Sequence, residues 1–184
     1  MPRPRAFDQE AAMEAAIRCF WHRGYAATSV RDLAAAMGIC GTSLYNAYGD
    51  KRALFEQALE RYLDDTLRAR IRRLEQALPP LQAARAFVED IIERSLADPE
   101  RRGCFLINAA LEVAPHDHAL GAAIARRLGE IEAFFRRCLT RAKSEGALAP
   151  GRDPDDLARL LFGVVLGVRV LARSKPDREL LEGV

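Results

Sequence analysis

Fourteen residues from Gly38 to Lys51, GICGTSLYNAYGDK, hold three glycines, two tyrosines, a threonine and a serine where an ordinary helix would place leucine. No catalytic motif is visible among these side chains. Hydroxyls, an amide and an ammonium are instead the groups that hydrogen-bond phosphates and base edges. Residues suited to catalysis are sparse elsewhere. His116 and His118 stand two apart at a predicted helix start, a spacing that does not converge two imidazoles on one ion within a helix, so no metal site is expected. No glycine-rich phosphate loop, nucleophile elbow or paired-carboxylate motif occurs, and neither catalytic residues nor a cofactor are expected. Cys19, Cys40, Cys104 and Cys138 are scattered without a C-x-x-C pair, which reads as reduced thiols. Cys104 differs from the others. In PERRGCFLINAALEV it opens a predicted helix just after Arg101 and Arg102, where the helix N-terminus and positive charge favour a thiolate. It is a candidate thiol sensor, and a small residue packed against the core is the alternative.

The elements that position these residues are helical. Met13, Ala16, Ile17 and Phe20 recur at i, i+3, i+4 and i+7, predicting a helix over about 8–22 that Gly24 stops. A second helix starts at TSVRDLAAAMG, where Ser29 and Asp32 have the spacing of a capping box and Val30, Leu33, Ala34 and Met37 form the buried face. Gly38 turns the chain, and a helix of about two turns follows from Gly41 to Ala47 before Gly49. Helix, tight turn, short helix is a helix-turn-helix. Leu44 and Tyr48 hold the short helix to its domain, and Gly41, Thr42, Tyr45 and Asn46 are free to face a major groove.

The wider pattern, FWHRGYAATSVRDLAAAMGI followed by GTSLYNAYGDKRALFEQAL, resembles the N-terminal DNA-binding domain of TetR-family transcriptional regulators over roughly residues 7–60. The resemblance implies that Tyr45 reaches the DNA, that Thr28 and Ser29 hold phosphate through their hydroxyls, and that Lys51 binds phosphate. Lys51 follows the predicted cap Asp50 at a helix N-terminus, where ammonium and backbone N–H groups serve one phosphate together. Arg3 and Arg5 are candidates for an arm on the DNA. The expected DNA-binding set is thus Thr28, Ser29, Gly41, Thr42, Ser43, Tyr45, Asn46, Tyr48 and Lys51, with Tyr48 also an anchor. Two departures from the family pattern bear on the bases read: Cys40, a poor N-cap, precedes the short helix, and Thr42 stands where a glycine is usual.

Composition sets limits on the rest. In 184 residues, 28 basic and 26 acidic side chains leave a formal charge of +2, so polyanion contact must come from local placement. The longest apolar run, Leu160 to Val168, is far short of the roughly 20 residues that span a bilayer. MPRPRAFDQE lacks the apolar stretch of a secretion signal, and a cytoplasmic protein without membrane contact is expected. From Asp50 a long amphipathic helix is predicted, with Leu54, Phe55, Ala58, Leu59, Tyr62, Leu63 and Leu67 inward, ending at Pro79 and Pro80. Further helices are predicted over about 81–97, 104–113, 119–144 and 154–173. The expected fold is all-α: a helix-turn-helix DNA-binding domain, 1–50, joined by the long helix to a helical ligand-binding and dimerisation domain, 51–184.

The last long helix, LLFGVVLGVRVL, is apolar on more than one face, and Gly163 and Gly167 lie four apart so that another helix can approach. A central core helix is the alternative. The resemblance implies a four-helix seam between two subunits, built with the 119–144 helix. Some TetR-family regulators that sense electrophiles or oxidants also look similar around Cys104. The function expected is a homodimeric repressor on double-stranded operator DNA, released from a pseudo-palindromic site by an unknown small-molecule or reactive inducer. The alternative is a helical ligand-binding or enzymatic protein without operator function.

Overall fold

Asp8 starts the first helix by accepting the N–H groups of Glu10 and Ala11 at 2.9 and 3.2 Å, and α1 runs Gln9–Arg23. The computed structural model describes residues 7–184; Arg3 and Arg5 lie outside them. At α2 (Val30–Met37) the capping box forms: the Asp32 N–H donates to Ser29 Oγ at 3.1 Å and the Ser29 N–H donates to Asp32 Oδ2 at 3.0 Å. Gly38 then adopts φ 66°, left-handed backbone open to glycine at little cost, and the Ile39 N–H closes on the Ala34 carbonyl at 3.0 Å. The short helix α3 spans Gly41–Tyr48, and Cys40 supplies no side-chain cap.

Asp50 caps α4 (Lys51–Leu63), which buries Leu54, Phe55, Ala58, Leu59, Tyr62 and Leu63. The predicted long helix is not uniform. A π-helical turn at Asp64–Arg68 separates α4 from α5 (Ala69–Ala77), and within it the Thr66 hydroxyl donates to the Tyr62 carbonyl at 2.6 Å. A hydroxyl bonding four residues back competes with the helical ladder, and π turns concentrate at functional sites. Pro80 opens α6 (Pro80–Leu96), followed by α7 (Phe105–Glu112), α8 (His118–Ser144) and α9 (Pro154–Ser174). These four lie within one or two residues of the sequence expectation. An unpredicted short helix, α10 (Arg178–Glu182), is capped by Asp177, buries Leu181, and is tied to α6 where Arg178 grips both oxygens of Glu93 at 2.5 and 3.0 Å. The described residues form no strand.

Phe55 on α4 meets Phe20 of α1 edge-on at 5.1 Å and Phe105 of α7 at 5.5 Å; Tyr62 meets Trp21 at 5.0 Å and Phe105 at 5.6 Å. A second aromatic group, Phe87, Phe134 and Phe135, packs α6 on α8. One connected hydrophobic cluster consequently runs from Ala12 to Leu181, across the point at residue 50 where the sequence suggests a change of role. Removing the Phe55 ring, which is 1% exposed, leaves a cavity that touches both halves. Phe55→Ala is expected to cost about 3–5 kcal/mol. Thermal unfolding followed by circular dichroism should show a clearly lower midpoint, and an unchanged one would remove the ring from the core.

Candidate nucleic-acid interface and interior cavity

The two faces of α3 differ as a docking helix requires. Leu44 is fully buried, whereas Tyr45 is 53% exposed and Thr42 and Asn46 are exposed beside it. Gly41 is open above its α-carbon, with no atom within 4 Å of where a Cβ would sit. Thr42, Tyr45 and Asn46 therefore share one free surface with backbone access at its N-terminal end. Cys40 and Ser43 close that end: Sγ lies 3.1 Å from the Ser43 hydroxyl, whose hydrogen bond holds the exposed Cys40 thiol below its usual pKa.

Two expected contacts are corrected. Tyr48 is 7% exposed, with its hydroxyl donating to the Gln9 carbonyl at 3.4 Å, so it anchors α3 and does not face DNA. Thr28 is fully buried, and its hydroxyl donates to the Gly24 carbonyl at 2.6 Å, satisfying a loop acceptor that packing has taken from water. Ser29 is exposed, but its hydroxyl is shared with Asp32, whose carboxyl that bond holds below the usual carboxylate range. Lys51 stands at the N-terminus of α4 with Nζ 4.4 Å over the Tyr25 ring and donating to the Ala26 carbonyl at 3.4 Å. An ammonium aligned beside the α1–α2 loop, with the N-termini of α2 and α4 nearby, is suited to a phosphate backbone.

That loop is held from the C-terminal side. Glu112, at the end of α7, accepts the Tyr25 N–H at 3.0 Å and the Ala26 N–H at 2.7 Å. Gly24 permits this approach: it has φ 81°, and a Cβ there would lie 2.5 Å from Glu112 Oε2. Arg52 pairs with Asp117 at 2.6 Å, His22 with Glu100 at 3.1 Å, and Arg102 covers the Trp21 ring at 4.7 Å. Sequence reasoning missed Glu112, because one carboxylate on a helix end carries no local sign of a partner 87 positions away.

Cys104 is half-buried at the start of α7, where Tyr62 donates its hydroxyl to Sγ at 3.8 Å. Arg102 turns from the thiol to Asp98 and Glu100, so the charge expected beside Cys104 is drawn elsewhere. Cys104 and Tyr62 help line an interior cavity of about 30 Å³ with Thr66, Arg70, Ile107 and Arg169. Burial raises the Tyr62 pKa, keeping its hydroxyl a donor, and pushes the remote Cys138 thiol up to about 11. On α9, Gly163 is exposed with nothing near its missing Cβ, and Gly167 meets only Val184, at 3.8 Å. Leu160 and Val170, 62% and 49% exposed, extend the same stripe. His116 and His118 are exposed, and the described residues include no group of His, Cys, Asp or Glu able to hold a metal ion.

A reading helix free on one face, anchored on the other and tied through a loop to a helical bundle with its own cavity belongs to the helix-turn-helix class of DNA-binding regulators. Comparison with known proteins narrows the class. Residues 12–58 match the family described as bacterial regulatory proteins, tetR family, and residues 80–184 match the tetracyclin repressor-like C-terminal domain. The chain is 36% identical to the HTH-type transcriptional regulator YezE of Bacillus subtilis (strain 168), over 99% of this chain and 94% of the relative. It is 28% identical to the HTH-type transcriptional repressor ComR of Escherichia coli (strain K12), over 97% and 86%. Among solved structures, a cysteine mutant of the TetR family regulator CifR, complexed with 26-base-pair operator DNA, superposes with a TM-score of 0.88 at 35% identity, covering 98% of this chain and 95% of the other. This chain belongs to the TetR family and is a DNA-binding transcriptional regulator, not an enzyme. No helix among the described residues is long and apolar enough to cross a membrane.

Lys51 and Tyr45 should act differently on DNA. Lys51→Ala is expected to weaken duplex binding across sequences and to flatten the logarithmic salt dependence by about one unit. Tyr45→Ala should also reduce preference for the specific site. Fluorescence anisotropy over a salt series measures both, and two variants with wild-type curves would remove α3 as the reader.

Proposed function

We propose that the protein is a homodimeric repressor that binds a pseudo-palindromic operator and leaves it when an inducer occupies the interior cavity. The observation that carries this reading is α3, with Thr42, Tyr45 and Asn46 free on one side and Leu44 and Tyr48 seated on the other. The solved CifR complex with operator DNA, similar along nearly the whole chain, supports the same partner. The protein acts in the cytoplasm, where the chromosome is. Phosphate contacts come from Ser29 and Lys51 and base contacts from Gly41, Thr42, Tyr45 and Asn46, with Ser43 closing the helix start. The apolar stripe Leu160, Gly163, Gly167 and Val170 supports a seam of α9 and α8 from two subunits. Two-fold symmetry then sets the reading helices on half-sites about 34–36 Å apart.

Release requires an inducer that binds the DNA-incompetent arrangement more tightly than the competent one. The position of the cavity supports this reading. Its wall includes Tyr62, which packs on Trp21 of α1, and Cys104, which starts the helix whose other end holds the Tyr25 and Ala26 amides. Expansion at Cys104 moves α7, and Glu112 transmits the shift to the loop beside Lys51. A reactive inducer that enters this cavity meets the Cys104 thiol.

Footprinting with purified protein tests the operator reading. A two-fold symmetric protected segment is expected, and sequence-indifferent protection would contradict it. Gly163→Leu combined with Gly167→Leu should separate the helices at the seam, a clash of about 1–3 kcal/mol, and give monomer or aggregate in light scattering with loss of operator affinity. A stable dimer of normal affinity would move the seam elsewhere.

The thiol reading is tested by releasing the protein from operator DNA with an electrophile in wild type, Cys104→Ser and Cys40→Ser, with mass spectrometry locating the adduct. If Cys104 senses, Cys104→Ser stays bound and Cys40→Ser is released like wild type. Retention only in Cys40→Ser would mean direct blockage of the α3 start, where the Ser43 hydrogen bond holds the Cys40 thiol below its usual pKa.

A further inference from the structure

The wall of the interior cavity carries more positive charge than its partners neutralise. Arg70 of α5 is 7% exposed, and its Nε lies 2.6 Å from Asp90 Oδ2 without forming a hydrogen bond. That carboxylate is shared: Arg94 lies 2.9 Å from it and Arg73 3.9 Å. Arg169 of α9 also lines the cavity, and its hydrogen bond is to a neutral group, Nη1 donating to Ser95 Oγ at 3.1 Å. Three guanidinium groups thus share one carboxylate, and Arg169 takes part in no ion pair among the described residues. Arg73 and Arg94 are over half exposed, so water screens them, whereas Arg70 is not screened in this way.

None of the residues lining the cavity is acidic: α4 brings Tyr62 and Leu63, the π turn Thr66 and Leu67, α6 Phe87 and Ile91, α8 Ile131 and α9 Val165. Burial pushes the Arg70 pKa down to about 10, and the like charges of Arg94 and Arg169 add to that strain. A buried guanidinium whose Nε makes no hydrogen bond, and whose one carboxylate is shared, is costly unless further negative charge meets it, and its planar fork matches a carboxylate.

We propose that the cavity is a receptor for a small organic anion, a carboxylate of two to four carbons held between Arg70 and Arg169 with its carbon end against Leu106, Ile107 and Val165. The free volume of about 30 Å³ holds two or three water-sized groups, fewer than the non-hydrogen atoms of such an acid, so the walls give on binding and only a short chain is accommodated. The regulatory consequence rests on the reading of this cavity as the inducer site; the binding itself does not. An anion there draws α5 and α9 together, the first continuous through the π turn with α4 and the second carrying the exposed apolar stripe.

The test is isothermal titration calorimetry of the full chain with sodium formate, acetate, propionate and butyrate and with the matching primary amides, at constant ionic strength. Saturable binding is expected for acetate or propionate, at least tenfold tighter than for the amide of the same length. Arg169→Gln and Arg70→Met should each weaken it at least tenfold with the helical circular dichroism spectrum retained. If Arg70→Met does not fold, Arg169→Gln decides, because the Ser95 hydroxyl keeps its bond to the Ile91 carbonyl. Equal binding of acid and amide, no binding of any carboxylate, or wild-type binding by Arg169→Gln overturns the proposal. Operator affinity of the ligand-free wild type, measured in parallel, separates the two readings. Loss of operator binding with arginine-dependent carboxylate binding intact sinks the repressor reading alone; intact operator binding without carboxylate binding sinks the receptor alone.

Discussion

The edge-to-face contacts that join Phe20, Phe55, Phe105, Tyr62 and Trp21 constrain the rest of the molecule, because they put α1, α4 and α7 into one close-packed group. Close packing does not deform by degrees; a helix in such a group either keeps its place or moves with its neighbours. The reading helix contributes none of these rings. It rides on α1 and α2, so its position relative to the C-terminal bundle is inherited from this aromatic contact.

Polar groups refine what the rings enforce, and their strengths differ. Pairs such as Arg18 with Glu14 or Arg85 with Glu89 are exposed and contribute little. Glu112 is of another kind, since it bonds two loop amides that have no helical partner and that sit beside Lys51. Arg68, the last residue of the π turn, is similar: it grips both oxygens of Glu130 on α8 at 2.6 and 2.8 Å and fixes the turn against that helix. The π turn thereby lies between the DNA-facing half and the cavity and contributes Thr66 to the cavity wall.

Net charge does little in this protein, and local charge does much. A formal +2 spread over 184 residues would not hold a duplex, but Lys51 at a helix start concentrates cationic character where the loop and helix ends converge. The same holds inside, where Arg70 and Arg169, on different helices, line a space without an acidic residue and Arg70 shares its one carboxylate with two other arginines.

The sequence by itself determined the helices, their order and the helix-turn-helix, because capping boxes, glycine stops and apolar spacing are local and act within a few residues: Ser29 with Asp32, Gly38 and Leu44 were all legible. So was the split of α3 into an anchored and a free face, which follows from helical geometry alone. Tertiary structure decided what depends on partners far along the chain. Thr28 was drawn inward by a loop carbonyl, Tyr48 became an anchor through Gln9, Arg102 went to Asp98, Glu100 and Trp21 and left Cys104 to Tyr62, and Glu112 found two amides that no sequence spacing marks. α10 was missed for the same reason, since five residues have too little periodicity to show, and their order depends on Leu181 reaching the core and Arg178 reaching Glu93. The convergence of Arg70 and Arg169 on one cavity is likewise a product of packing: burial sets the cost of a charge, and burial is a property of the folded chain.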